Sequence, residues 1–438
     1  MLVTMMFLFG LTEVHAQMFL PFSNWRCSSS SAIHASGDST NANFSAGTLS
    51  NAIVTGFTVS LAVAATSGTL TSRTFDIFQS CIQFSNFLDF SWKTSMPFLK
   101  ELPVAAEAVV DYPSVLTTLQ TNLIGYWRFN ETAPGGYAGP KDFKDFSPSG
   151  NNIAKTGTIT LGASGRFLNG VSSNNTGGYV DLTGVNTLIG TTASYTISAW
   201  FNVTSYTNGC SGTGTYLLDR AITGGGNPLA GICIKTNSFA FETRCDNGAS
   251  LQQVVGAAVV TGSWQHVVIQ RDRAAALYRI FGNGVQIATV ADGAGCAVTL
   301  DPPRLARHAT GTTQGLVGSL DEVLIWNRAL SPAEILQLYR RGGNRLEFQF
   351  RTCTSPTCAD NPAWQGPDGT ATTYFSELYN NSIQATGMGT VLTTPPTMTF
   401  INFAAFVLAR KRYFQYKGIL NSDSTSNTPD FNWTYINW

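Results

Sequence analysis

The run from Asp145 to Asn152 has the composition of a cation-binding loop. It reads Asp-Phe-Ser-Pro-Ser-Gly-Asn-Asn and supplies one carboxylate, two amide side chains and a glycine turn that can direct backbone carbonyls inward. Calcium prefers roughly six to eight hard oxygen ligands of these kinds. The pattern predicts a Ca²⁺ site at Asp145, Asn151 and Asn152. A second interpretation stays open, in which Asp145 forms an ordinary Asx turn.

Acidic and histidine residues are poorly spaced for hydrolysis. A retaining glycosidase needs two carboxyl groups about 5 Å apart. Asp321 and Glu322 are adjacent, so in a strand they should point to opposite faces. His266 lies among apolar residues, where a hydrogen-bonded structural histidine is more common than a catalytic base. The sequence therefore predicts that the protein is not an enzyme and has no catalytic residue.

The eight cysteines indicate an oxidising compartment. Cys353 and Cys358 enclose a short loop and are predicted to form a disulfide. The alternative, half of a metal site, lacks a second pair of cysteines or histidines at ligand spacing. The other six cysteines cannot be paired from the sequence, although proximity favours Cys27 with Cys81.

Composition excludes several classes of partner. Charged residues make up 12% of the 438 residues and the net charge is zero, so no basic surface for nucleic acid is expected.

Leu2–Leu11 is an apolar run followed by Val14-His15-Ala16, which predicts a signal peptide over residues 1–16. No other stretch is long enough for a transmembrane span. The expected location is secreted, periplasmic or at the cell surface.

Short runs with alternating hydrophobicity, such as Tyr195–Phe201, predict an all-β protein. One helix stands out after a dozen such runs. Ser331 is a natural N-cap, Pro332 suits the first turn, Glu334 completes a capping box, and the glycine pair 342–343 ends the helix. These features predict a β-sandwich with one helix attached.

Residues 122–342 resemble the laminin-G-like jelly rolls of the concanavalin A-like lectin/glucanase superfamily. The motifs that carry the resemblance are Tyr126–Glu131, Asp145–Asn152, Tyr195–Phe201, Trp264–Val267, Gly318–Val323 and Trp326–Ser331. The resemblance implies that Asp145 and Asp321 lie together, with Asn151 or Asn152 as further ligands. Such a calcium ion would be structural and would join the first and last strands. Without the ion, Asp321 would be a salt-bridged residue.

The flanks resemble the two halves of one β-sandwich module that, in bacterial surface proteins, often contains a laminin-G-like insertion. The matching segments are Gly68–Asp76, Phe348–Cys353, Gly366–Thr370, Thr373–Ser376 and Arg412–Tyr416. Neither flank has enough strands to cover both faces of a sandwich alone. We therefore predict an irregular segment over residues 17–43, a discontinuous host sandwich over 44–110 and 344–438, and a nested jelly roll.

Three functions follow from this reading. The leading one is a non-catalytic protein that binds a glycan or a surface protein through the loops of the jelly roll. The second is a structural or adhesive surface protein that self-associates as a homo-oligomer. A glycoside hydrolase comes third, because no acid pair is found. Tyr137, Tyr206, Asn208 and Arg220 lie in or beside loops, but the sequence assigns none of them to a ligand.

Overall fold

Short antiparallel strands joined by tight turns build most of the chain, as the computed structural model shows, and the predicted all-β class is confirmed. The structure describes residues 35–77, 89–135, 141–182, 184, 193–219, 230–243, 252–293, 303–308, 311, 313–379, 397–399, 408–409 and 411–437. The predicted signal peptide, the Cys27–Cys81 pairing, Tyr137 and Arg220 lie outside these residues. Within them, no helix has the length and hydrophobicity needed to cross a membrane.

Two antiparallel sheets form the jelly roll. The larger sheet contains β8 (Leu123–Trp127), β10 (Ile159–Ser164), β11 (Asn169–Asn174), β13 (Tyr195–Ser205), β18 (Trp264–Asp272), β19 (Leu277–Gly282), β20 (Val285–Ala291) and β22 (Val317–Trp326). The smaller sheet contains β9 (Ala154–Thr156), β12 (Tyr179–Asp181), β14 (Tyr216–Asp219), β15 (Ala230–Lys235), β16 (Ser238–Thr243), β17 (Gln252–Ala258) and β21 (Arg304–Leu305). Their order is β10-β11-β22-β13-β18-β19-β20, with β8 beside β22, and β17-β16-β15-β14-β21-β12-β9.

Alternation along the strands places one set of apolar side chains between the two sheets. Trp127, Phe201, Ile232, Phe241 and Ile325 are among the buried residues of this core. Burying such side chains is the main favourable contribution to the stability of a sandwich. The predicted alternation therefore has a direct structural counterpart.

The helix α2 (Pro332–Gly343) begins and ends where the sequence predicts. Ser331 and Glu334 form the capping box, which satisfies backbone N–H groups at the first turn. Its apolar residues Ile335 and Leu338 join a second buried cluster, together with Leu324 and Trp326 of β22. The helix therefore covers part of the outer face of the larger sheet.

Three further sheets are built from the two flanks. Their elements are β1 (Ala35–Asp38), α1 (Asn41–Ser45), β2 (Thr48–Ser50), β3 (Ala52–Thr55), β4 (Thr58–Leu61), β5 (Ser67–Thr71), β6 (Phe75–Asp76), β7 (Asp89–Lys93), β23 (Asn344–Cys353), β24 (Phe375–Ser376), β25 (Thr397–Thr399), β26 (Tyr413–Ser422), β27 (Asp430–Phe431) and β28 (Trp433–Asn437). Strand β26 pairs with β5, placing Leu70 opposite Gly418, and with β6, placing Phe75 opposite Phe414. These pairings support our proposal of a discontinuous host sandwich.

The segment predicted as irregular, residues 17–43, contains ordered structure at its end. Strand β1 pairs with β28, and Asp38 accepts hydrogen bonds from Arg73 Nε and from Tyr416 Oη. The sequence Ala-Ser-Gly-Asp has no hydrophobic alternation, so local patterning does not reveal this strand. Its order comes from a partner strand almost four hundred residues away.

The segment that precedes the jelly roll also has a defined position. We call residues 94–121 the strap. Leu102 and Leu119 are buried in the same cluster as helix α2, and the Leu119 carbonyl accepts a hydrogen bond from Trp326 Nε1. The Leu102 carbonyl accepts one from Arg128 Nη2. The strap and α2 thus cover the outer face of the larger sheet.

Candidate functional site

Asp145 is the centre of a hydrogen-bonded loop. Its Oδ1 accepts hydrogen bonds from the backbone N–H groups of Tyr126 (2.9 Å) and Ser147 (2.8 Å). Its Oδ2 accepts from Ser147 Oγ (2.9 Å) and from Asn151 N (2.7 Å). Asn152 Oδ1 in turn accepts from Asp145 N at 2.9 Å. This network fastens the loop to strand β8.

Asp321 is bound to a different part of the chain. Its Oδ2 accepts hydrogen bonds from the N–H groups of Arg166 (2.7 Å) and Phe167 (3.1 Å), in the turn between β10 and β11. Its Oδ1 accepts from Glu322 N at 2.8 Å. The structure thus brings Asp145, Asn151 and Asn152 together and anchors Asp321 at another turn.

As arranged here, Asp145 does not fit a calcium ligand, because N–H and O–H donors occupy the oxygens that a cation would need. We therefore expect EDTA to leave the melting temperature of the protein unchanged in differential scanning calorimetry. A melting temperature that falls in EDTA and recovers with calcium chloride would contradict this expectation. It would support the ion that the sequence predicts at Asp145, Asn151, Asn152 and Asp321.

The expectation that Asp321 and Glu322 point to opposite faces is wrong. The register between β13 and β22 shifts between the pairs Ser198–Leu324 and Trp200–Asp321, and Glu322 has a φ of +51°. This bulge adds a residue to the strand, so both carboxylates lie on the outer side of the larger sheet. Both are buried beneath the strap and α2, at 0% and 4% exposure, which leaves no path for a substrate.

His266 is a buried structural residue in this region. Its Nε2 lies 2.7 Å from Ser198 Oγ, and burial, with a contribution from Arg166, lowers the pKa of His266 to about 3. The pair faces a cavity of only about 10 Å³, room for a single water. A serine and a histidine are therefore in contact but closed to any substrate.

Two disulfides are present in the described residues. Cys353 and Cys358 form the predicted bond, with Cα atoms 5.0 Å apart. Cys210 and Cys233 form the second, which the sequence left unassigned. It joins the loop after β13 to strand β15 on the outer face of the smaller sheet.

That face carries a line of residues from six neighbouring strands, five of them polar and one a glycine. In order across the sheet, this polar row comprises Asp181, Arg304, Asp219, Gly231, Glu242 and Gln253. Asp219 Oδ1 lies 3.4 Å from the position that a Cβ atom on Gly231 would occupy. The Asp219 side chain therefore lies beside Gly231, and the row is continuous from β14 to β15. The next residues along the strands, including Val180, Leu305 and Phe241, are buried in the core between the sheets. Strand alternation therefore directs the row outward.

Glu242 is the structural anchor of the row. Its carboxylate accepts hydrogen bonds from Ser211 N and Ser211 Oγ, from Tyr216 Oη at 2.6 Å, and from Gln253 Nε2 at 2.7 Å. The carboxylate is fully buried and holds the loop after β13 next to the Cys210–Cys233 bond. Because its acceptor positions are filled by donors, Glu242 is unsuited to act as a general base.

The other end of the row is half-buried and open. Asp181 and Arg304 face each other on β12 and β21, and Tyr179 lies beside them. The guanidinium carbons of Arg304 and Arg307 stand 4.4 and 4.7 Å from the centroid of the Tyr179 ring. We call Tyr179, Asp181, Arg304 and Arg307 the open end. It combines an aromatic ring, a carboxylate and two guanidinium groups within reach of a ligand.

Sequence reasoning missed the open end. Asp181 and Arg304 are separated by more than a hundred residues and meet only through sheet pairing. The signal available in the sequence was the alternation Tyr179-Val-Asp181, which exposes two residues of a short strand on one face. Of the loop candidates, Tyr206 and Asn208 both hydrogen-bond to Asn237 Oδ1 at another edge of the domain.

Comparison with known families agrees with the fold. Residues 174–336 match the family model Laminin_G_3, described as the concanavalin A-like lectin/glucanases superfamily. The resemblance predicted from the sequence is thereby confirmed for this part of the chain. No curated protein matches the chain.

Several solved structures match parts of the chain at low identity. Domain 4 of AbnA, a GH43 extracellular arabinanase from Geobacillus stearothermophilus in complex with arabinotriose, is 17% identical, with 50% of this chain and 98% of that chain covered and a TM-score of 0.38. The binding domain of Paraclostridial Mosquitocidal Protein 1 is 15% identical, with 54% and 62% covered and a TM-score of 0.39. Trypanosoma rangeli sialidase is 17% identical, with 50% and 32% covered and a TM-score of 0.38. These scores are too low to transfer a ligand or an activity.

Proposed function

We propose that the jelly roll is a non-catalytic glycan-binding domain whose ligand contacts the open end of the polar row. The observation that carries this proposal is the row itself. Charged residues from separate strands line up on one outward face, where core packing does not require them. Groups of this kind, beside an aromatic ring, are what a sugar-binding surface uses to orient its ligand.

The chemistry of each group suits a hydroxyl-rich ligand. The Asp181 carboxylate accepts hydrogen bonds from sugar hydroxyls, and the Arg304 guanidinium donates to hydroxyl or ring oxygens. Arg304 lies between Asp181 and Asp219 on the neighbouring strands, so its position is well defined. The Tyr179 ring holds the guanidinium groups of Arg304 and Arg307 in place, because both stand over it.

A binding role is also favoured over hydrolysis. The two acidic residues nearest in the row, Asp219 and Glu242, are both fully buried, and Glu242 is saturated by hydrogen-bond donors. The acid pair at Asp321 and Glu322 is covered by the strap. The two disulfides are consistent with an oxidising compartment, and we propose a secreted or surface-exposed protein.

Substitution of the open end tests the proposal. The full chain is first screened on a glycan array, and its affinity for the best ligand is measured by titration calorimetry. We expect Arg304→Ala and Asp181→Ala each to weaken binding by about tenfold, because each removes hydrogen bonds made by a charged group. Unchanged circular dichroism would show that the sheets are intact.

The exposed ion pair Arg412–Asp76 on the host sandwich supplies matched controls. Arg412→Ala and Asp76→Ala make the same charge changes away from the jelly roll and should leave glycan affinity unchanged. If the chain binds no glycan on the array, or if both open-end variants bind as the wild type does, the proposal is wrong.

A further inference from the structure

A concave surface lies on the side of the jelly roll opposite the polar row. It is a groove of about 670 Å³ between the segment that precedes helix α2 and the outer face of strands β18 to β20. Sites for small ligands commonly have volumes of about 300 to 1,000 Å³. Its polar lining includes Asp272, Arg279, Gln286, Asn327 and Arg328. The groove shares no residue with the polar row.

The charges in the groove are already neutralised within the protein. Arg279 Nη1 lies 2.6 Å from Asp272 Oδ2, and this pair is mostly shielded, with 18% and 17% of the side chains exposed. Arg328 Nη2 lies 2.6 Å from Glu334 Oε1 and also donates to the Thr118 carbonyl. A charged ligand would have to compete with these partners. The groove therefore favours an uncharged ligand.

Two amide side chains in the groove are available for a ligand. Gln286 and Asn327 are exposed and make no side-chain hydrogen bond within the part of the chain that the structure describes. Each amide offers both a donor and an acceptor, which matches a hydroxyl group. The loop that carries Asn327 is held in place, because Arg328 bonds to the Thr121 carbonyl and Asn327 N to the Asn122 carbonyl.

Part of the remaining lining is apolar, and two serines, Ser194 and Ser331, complete it. Ala329, Leu330 and Pro332 form one side of the groove next to the amides. A sugar ring has an apolar C–H surface and a rim of hydroxyl groups, and it fits a surface of this mixed kind. A neutral molecule without polar groups would leave the two amides without hydrogen-bond partners.

We infer that this groove is a second glycan site, which takes a neutral saccharide through Gln286 and Asn327. The inference rests on the proposed function, since it assumes that the domain binds glycans, but it concerns different residues. A polysaccharide chain long enough to pass around the domain would engage both sites and bind more tightly than a short oligosaccharide, because the second contact would be intramolecular. A short oligosaccharide would occupy the two sites independently.

The test compares the double variant Gln286→Ala/Asn327→Ala with the wild-type full chain. The probes are neutral oligosaccharides of glucose, xylose, mannose and arabinose, titrated by calorimetry. NMR of the side-chain amide resonances reports which groups contact the sugar. We expect at least one neutral probe to shift the Gln286 and Asn327 amides, and the double variant to lose about tenfold in affinity for it. Thr261→Ala, an exposed polar residue outside the groove, is the control and should bind normally.

The outcomes separate this inference from the proposed function. Suppose that a neutral probe binds to the wild type and to the double variant with the same affinity, and that Arg304→Ala abolishes its binding. The groove is then not a sugar site, and the proposed function stands. If the double variant loses binding while Arg304→Ala does not, the groove is the sugar site and the open end is not. If no probe shifts the groove amides, the inference is overturned.

Discussion

Replacing Arg341 by alanine should lower the free energy of unfolding by about 4 kcal/mol, because it breaks a buried ion pair, leaves Glu107 with Lys100 as its remaining counter-ion and removes the donors of two buried carbonyls. Arg341 is 2% exposed and joins helix α2 to the strap. Its Nη1 lies 2.7 Å from Glu107 Oε2, its Nη2 donates to the Glu101 carbonyl, and its Nε donates to the Lys100 carbonyl. Three groups of the strap thus depend on one guanidinium.

The measurement is urea denaturation followed by near-ultraviolet circular dichroism, which reports on the buried tryptophans. Arg412→Ala is the matched control, since its ion pair with Asp76 has side chains 50% and 43% exposed. Exposed pairs contribute less than about 1 kcal/mol. If Arg341→Ala is as stable as this control, the strap is not a structural part of the jelly roll. The predicted boundary at residue 122 would then describe an independent domain.

Replacing Glu322 by glutamine should stabilise the protein at neutral pH by about 2 kcal/mol, because glutamine is neutral at every pH and folding then no longer requires an ionised glutamate to be buried or protonated. Burial, together with the nearby carboxylates of Glu101 and Asp321, raises the pKa of Glu322 well above its ordinary value. Tyr126 Oη donates to Glu322 Oε2 at 2.6 Å, and a glutamine carbonyl can accept the same bond. The other carboxylate oxygen, Oε1, is buried without a hydrogen bond.

The direction of the pH dependence follows from this raised pKa. A folded state that prefers the protonated acid loses stability as the pH rises from the unfolded pKa toward the folded one. The wild type should therefore lose stability as the pH rises above the ordinary pKa of a glutamate, and Glu322→Gln should lose less. Arg128, Lys100, Arg341 and His266 also surround this carboxyl group and are the same in both proteins.

Glu334 provides a control for which replacement by glutamine should change the stability in the opposite direction. Burial alone would raise the pKa of Glu334, but hydrogen bonds from Arg328, Thr118 and Ser331 hold this pKa at about 2. Glu334→Gln should therefore destabilise the protein at neutral pH. Unfolding curves at several pH values check both variants. If the free energy of unfolding changes with pH in the same way in the wild type and in Glu322→Gln, the folded state does not raise the pKa of Glu322, and this prediction is wrong.

Local features of the sequence were sufficient to predict several of the strands, the helix and one disulfide. The alternation in Tyr195–Phe201 gave a strand in the larger sheet, and Ser331, Pro332 and Glu334 marked the start of α2. The short loop between Cys353 and Cys358 made their disulfide predictable. In each case the determining interactions lie within a few residues along the chain, so the pattern is visible without the fold.

The tertiary structure alone decided the sites. The row from Asp181 to Gln253 exists because six strands align in register, and no local pattern encodes that alignment. The bulge at Glu322 reversed the predicted direction of a carboxylate, because one extra residue changes which face a side chain takes. Whether a polar group binds a ligand, anchors a loop or is sealed under the strap depends on which distant segments cover it. Those contacts form only when the chain folds.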